Sequence, residues 1–189
     1  MHPDLTDEAP AGRRMARTVP IHWLIAALHV ALLLLLYGQA LGFDYVHYDD
    51  TDYGTETPAV LAGLGLDGVR WAFTSFYMSN WHPLTWLSHM ADVSIAGSNP
   101  AFAHLHNLIL HGINSLLVYA LLLRYCGSVW KSAALSLVFL VHPLHVESVA
   151  WIAERKDLLC AMFFLLALLA YDDYRRHARR ATFLWALLA

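Results

Sequence analysis

Residues 20–41 read PIHWLIAALHVALLLLLYGQAL, an apolar run without a single Asp, Glu, Lys or Arg. About twenty such residues in a helix cover the ~30 Å hydrocarbon core of a bilayer. In that medium a spanning segment must satisfy its own backbone N–H and C=O groups. The run therefore predicts a membrane-spanning helix and narrows the fold to helical membrane proteins. Composition agrees, because 58% of the 189 residues are hydrophobic and 14% charged, against roughly a quarter charged in soluble domains. A cleaved leader is the competing reading, since Gly38 and Ala40 have the small-residue spacing of a cleavage site. The run exceeds the roughly 7–15 apolar residues of a leader, and more spans follow.

Residues 1–19 form a polar tail that ends in Arg13, Arg14 and Arg17. Beyond the first span, three more are expected at 101–124, 129–144 and 157–171; Gly127 closes the second and Pro143 lies near the far end of the third. A fifth begins at residue 181 and looks cut, since its nine residues are too few to cross. Residues 43–100 make a long loop with two short amphipathic helices, near 58–76 and 83–96. The fold class is all-α, a multi-pass helical membrane protein. Cys126 and Cys160 fall near opposite ends of different spans, which predicts free packing residues rather than a disulfide.

With the amino terminus in the cytoplasm, nine of the twelve basic residues lie inside and only Arg70, Arg155 and Lys156 outside, as the positive-inside rule asks. Ten of the fifteen acids then lie outside, which makes the outer face the functional one. A net charge of -3 gives no basic footprint for nucleic acid.

Four groups of residues on that face have chemistry to offer. Asp49 and Asp50, with Asp52 close by, follow the first span; adjacent carboxylates at a membrane boundary raise each other's proton affinity, which suits a general base. The same pair is a possible divalent-cation site, and a solvated acidic loop is the plain alternative. Residues 80–92, NWHPLTWLSHMAD, put Thr85, His89 and Asp92 on one helical face, while Trp81 and Trp86 suit headgroup depth. His104, Asn107, His111 and Asn114 form a polar stripe in the second span, facing either a pocket or a partner helix. Residues 142–157, HPLHVESVAWIAERKD, gather His142, His145, Glu147, Glu154, Arg155, Lys156 and Asp157. Their outward Arg155–Lys156 pair argues for holding a phosphate, with a salt-bridged hairpin cap as the alternative.

Read together, YDDTDYGTETPAV (48–60), GVRWAFTS (68–75), NWHPLTWLSHM (80–90), HLHNLILHGINSLL (104–117) and HPLHVESVAWIAERKDLL (142–159) resemble one family. They look like the membrane half of the bacterial proteins that join a multi-span glycosyltransferase domain to tetratricopeptide repeats. More distantly, they are similar to the animal transmembrane and tetratricopeptide-repeat O-mannosyltransferases. Small departures include Thr57 before Pro58, where Asn is common, and Cys160, where Ser is frequent. The resemblance implies a GT-C bundle in a bacterial plasma membrane, a polyprenyl-phosphate sugar donor, a protein or glycan acceptor, inversion at the sugar, and an acidic catalytic motif on Asp49 and Asp50.

The expected reaction is sugar transfer to a hydroxyl on the outer face. Asp49 or Asp50 would act as base, and Arg155, Lys156, His142 and His145 would hold the phosphate. Glu147, Asp157, His82, His89, Asn107 and His111 would support them; no metal centre is assigned. Two other classes compete with this reading. One is a His-ligated haem or metal protein using His104, His106, His111, His142 and His145. The other is a non-catalytic scaffold or chaperone that anchors repeats.

Overall fold

Leu and Ala dominate the first helix, α1 (Gly12–Tyr37), and such side chains lose little freedom on a helical backbone. The computed structural model describes residues 12–177 and 180–188. The tail expected over residues 1–19 therefore lies mostly outside the described residues, and from Gly12 onward its chain is already helical. The apolar part runs on through a 3-10 turn, Gly38–Gly42, so the span is Pro20–Gly42.

The other long apolar helix, α5 (Pro100–Cys126), is punctuated at both ends. The Asn99 side chain accepts the Ala101 N–H at 3.0 Å, Pro100 opens the first turn, and Gly127 stops the helix. Among the described residues, these two segments are long and apolar enough to cross a membrane singly. A third crossing is a bent pair. Pro143 lacks an N–H and disfavours helix at His142, so α6 (Val129–Val141) ends there. The chain passes through the turn Pro143–His145 into α7 (Val146–Ala150), the Pro143–Ala150 segment lying 49° from α6.

α8 (Arg155–His177) overruns the expected 157–171 at both ends. Its polar flanks leave about fourteen apolar residues between Asp157 and Asp172, short of the roughly twenty that a full crossing takes. Arg175, Arg176 and His177 in its last turn complement the helix dipole. Arg176 also pairs with the buried Asp172 at 2.8 Å. α9 (Arg180–Leu188) is the short apolar segment expected from residue 181.

α5 is central and packs on α1, α6 and α8. Leu33, Tyr37 and Ala40 meet Leu108, Leu110, Leu140, Val149 and Leu158 in its middle tier, while Ile25, Tyr119 and Ala133 close the end near Arg124. Ala40, small enough for a leader's cleavage site, is thus a core residue.

The 43–100 segment is a folded cap rather than a loose loop. The helix expected near 58–76 is two, α2 (Pro58–Leu61) and α3 (Leu66–Thr74). Gly63 parts them with φ 72, a left-handed conformation that L side chains avoid. α4 (Pro83–Ala96) has the expected bounds but not the expected surroundings. Trp86 is fully buried and touches no lipid headgroup, because the Tyr53, Trp71, Tyr77 and His82 rings surround it at 4.4–5.8 Å. The polar face of α4, Thr85, His89 and Asp92, points into the protein, while Leu84 is exposed. Both cysteines are exposed rather than packed.

Candidate active site

The acid loop starts from the turn after α1. Asp50 is fully buried, and each carboxylate oxygen has a backbone donor: Val46 N–H reaches Oδ2 at 3.0 Å and Ala153 N–H reaches Oδ1 at 2.8 Å. Burial raises the proton affinity of Asp50 above that of an ordinary carboxylate; the two N–H donors oppose the rise and the Asp49 charge adds to it. Asp49 is half-buried, and its carboxylate has no hydrogen-bond or ion-pair partner among the described residues. Its main-chain carbonyl accepts the N–H groups of Asp52 and Tyr53, which fixes the turn. Asp52 accepts the Tyr77 hydroxyl at 2.7 Å. The loop must also pass Tyr45 closely, and a Cβ at Gly54 would come 2.5 Å from that ring, so only glycine fits without a shift.

Tyr53 connects the acid loop to α4. Its ring stacks on Trp86 at 4.4 Å and 12°, and its hydroxyl shares a 3.1 Å hydrogen bond with His82 Nε2. His82 also stacks on Trp86. Burial first, then the Lys156 charge, lowers its proton affinity. His89, sealed behind Tyr53, is pushed well below the usual imidazole range by burial, with Arg155 adding to the effect. Both rings are therefore held neutral near pH 7.

Lys156 and His82 form the polar corner of a groove of about 410 Å³ between the cap and α8. Phe73, Trp81, Leu84, Leu159, Cys160 and Phe163 give it apolar walls. Lys156 is partly exposed and pairs with Glu154 at 2.6 Å. Arg155, one residue earlier, faces the opposite way. It is fully buried, its Nη1 lies 2.6 Å from Asp92, and Nε donates to Asn107 Oδ1 at 2.8 Å.

The remaining expected residues lie elsewhere. His145 packs against Phe139 and His111 and, with Asn114, Ser148 and Asp157, lines a separate cavity of about 240 Å³ on another face of α8. Ser148 donates to Asp157 at 3.2 Å. His142 is exposed and accepts the Leu144 N–H at 3.3 Å, and Glu147 is exposed too. Three of the four stripe residues on α5 bond to neighbouring segments, Asn107 to the Trp151 carbonyl, His111 Nε2 to the Leu140 carbonyl and Asn114 to the Leu158 carbonyl, while the buried His104 ring packs edge-on to Phe43. His106 bonds Asp92 at 2.7 Å. The structure thus gathers Asp49, Asp50, His82, His89 and Lys156 around one cap, and sets His111, His142, His145, Glu147 and Asp157 apart from it. Sequence reasoning passed over Tyr53, Asp92 as a partner of Arg155, and the Ala153 amide. Of these, only Asp92 left a signal, its place on the polar face of α4.

Fold and site together define an all-α membrane protein whose acidic loop is tied, through Tyr53 and His82, to an apolar-walled groove between the cap and α8. Over 182 residues, 88% of this chain and 20% of the relative, it is 34% identical to protein O-mannosyl-transferase TMTC1 of Homo sapiens. It is 31% identical over 163 residues to protein O-mannosyl-transferase Tmtc2 of Drosophila melanogaster, covering 79% of this chain and 16% of that one. With protein O-mannosyl-transferase TMTC4 of Homo sapiens the identity is 35% over 129 residues, or 58% of this chain and 17% of the relative. The chain is thus a relative of the TMTC protein O-mannosyl-transferases, the kinship its motifs indicated. It spans about a fifth of the length of the curated relatives it matches. No protein-family model matches it, and no solved structure does.

Proposed function

We propose that the chain is the catalytic part of a membrane glycosyltransferase of GT-C type, moving a sugar from a polyprenyl-phosphate donor to a hydroxyl of a protein acceptor. The relatives' name, protein O-mannosyl-transferase, supports mannose and a protein acceptor. The observation that carries the reading is the contrast within the acid pair. Asp50 is spent on two amides, while Asp49 is held half-buried and unpaired beside the cap, on the same turn that Tyr53 links to the groove at His82. Asp49 is the base that takes the acceptor's proton. Lys156 and His82 meet the donor phosphate, and the groove walls take the first isoprene units. The hydroxyl attacks the face of the sugar opposite the phosphate, so the anomeric centre inverts. His145 lines the other cavity and His142 lies beside it, so neither holds the donor phosphate in this reading. The amino terminus is cytoplasmic and the cap faces outward, as the basic residues ask. The deciding experiment assays transfer from a polyprenyl-phosphate sugar by full-length protein carrying Asp49→Asn. Near-abolition is expected, and transfer at the wild-type rate would leave a non-catalytic scaffold as the reading.

A further inference from the structure

Arg155 is fully enclosed, at 0% exposure, and its guanidinium fork is filled by two helices. From α4 come the Asp92 carboxylate at 2.6 Å and Ser88 Oγ at 3.4 Å; from α5 come Asn107 Oδ1 at 2.8 Å and the Ala103 carbonyl at 2.9 Å. The second oxygen of Asp92 is held by His106 Nδ1 at 2.7 Å, so the carboxylate cannot turn away. Asn107 completes a ring, because the side chain that accepts from Arg155 also donates to the Trp151 carbonyl at 3.2 Å. Arg155 directly follows the turn Ile152–Glu154, and the Ala153 N–H of that turn holds Asp50.

From these contacts we infer that Arg155 and Asp92 are positioning residues for the acid loop, not part of the phosphate site. The inference rests on the reading of Asp49 as the base. Arg155 locks the 151–155 turn against α4 and α5; the turn presents the Ala153 N–H to Asp50; Asp50 fixes the turn that carries Asp49. Neighbouring residues divide the labour, since Arg155 points inward to the frame and Lys156 outward to the groove. A lysine at 155 would keep the charge but supply a point donor instead of a planar fork, and could not bridge two helices in this way.

The test uses full-length protein with Arg155→Lys, Asp92→Asn and Lys156→Gln, and Arg124→Lys as a control ion pair at the far end, where Arg124 lies 3.6 Å from Asp172. Transfer kinetics and hydrogen exchange of residues 150–154 are both read. Arg155→Lys and Asp92→Asn should lower kcat by roughly tenfold to a hundredfold, as a small misplacement of a reacting group does. KM for the lipid donor should stay within about twofold, and exchange in 150–154 should quicken. Lys156→Gln should raise KM for the donor and leave exchange at Ala153 alone, and Arg124→Lys should change neither. If Arg155→Lys raised KM while kcat held, Arg155 would belong to the phosphate site and the inference would be overturned. Exchange at the wild-type rate in both frame variants would overturn it whatever the kinetics. A neutral Asp49→Asn would instead remove the base assignment, while the exchange result still judged the frame.

Discussion

Asp49 and Asp50 are adjacent in the chain and opposite in their surroundings: one carboxylate is unpaired and half-buried, the other is sealed under two backbone amides. Their amide variants should therefore fail in different ways. Asp49→Asn should leave the thermal midpoint in detergent near wild type and cut transfer at least about a hundredfold, the usual scale for a general base. Asp50→Asn turns an NH₂ toward one of the two N–H donors and should cost about 1–3 kcal/mol of stability. Differential scanning fluorimetry beside the transfer assay separates the two.

Trp86 and Trp81 make a second contrasting pair. Trp86→Ala empties the centre of the aromatic cluster and should destabilise the cap by about 3–5 kcal/mol. Trp81 is half-exposed, with its Nε1–H on the Phe73 carbonyl at 3.0 Å, so Trp81→Ala should cost about 1 kcal/mol. Limited proteolysis across residues 43–100 should show rapid cutting in the first variant only.

Acid should loosen the cap through His89. Its folded-state proton affinity lies well below the ordinary value of 6.5, so the unfolded chain binds the proton first. The stability that this ring contributes is present above about pH 6.5 and is lost as the pH falls below that value. His82, shifted the same way, adds to the slope. Asp50, whose affinity is raised, works in the opposite sense: its cost grows as the pH rises from the ordinary carboxylate range toward its folded value. The thermal midpoint should fall between pH 7 and pH 5.5, and His89→Gln should flatten that fall.

Cys160 lines the groove, and Cys126 lies beyond it at the end of α5. A polyprenyl phosphate seated in the groove should slow maleimide labelling of Cys160 at least about tenfold, the change that a site largely filled by its ligand produces. Labelling of Cys126 should be unaffected. Equal slowing at both thiols would point to detergent or aggregation rather than to the groove.

The helices were legible because their signals are local. The apolar run at 20–41, the Gly127 stop and the Pro143 break each act within a few residues. The roles inside the site were not, because long-range partners decide them. Nothing near Asp49 and Asp50 says which one meets the Ala153 amide 103 residues on. Arg155 and Lys156 look alike as neighbouring cations, and only Asp92, far upstream, draws one of them inward. Trp86 reads, with Trp81, as an anchor because tryptophans beside an apolar helix usually are; four rings from separate parts of the cap bury it.

The bond from Ala153 to Asp50 sets an order of events in biosynthesis. At about 5–20 residues per second, the ribosome adds the 103 residues between them in roughly 5–20 s. During that interval Asp50 has at most the nearby Val46 N–H as a backbone donor, and the first span waits in the bilayer beside an unfinished cap. The loop can settle only after the α6–α7 bend has been inserted and Ala153 has been delivered to it. Any nascent chain arrested before residue 153 should therefore carry both acids open to water, and a carboxylate-directed reagent applied to such stalled chains would modify Asp50 as readily as Asp49.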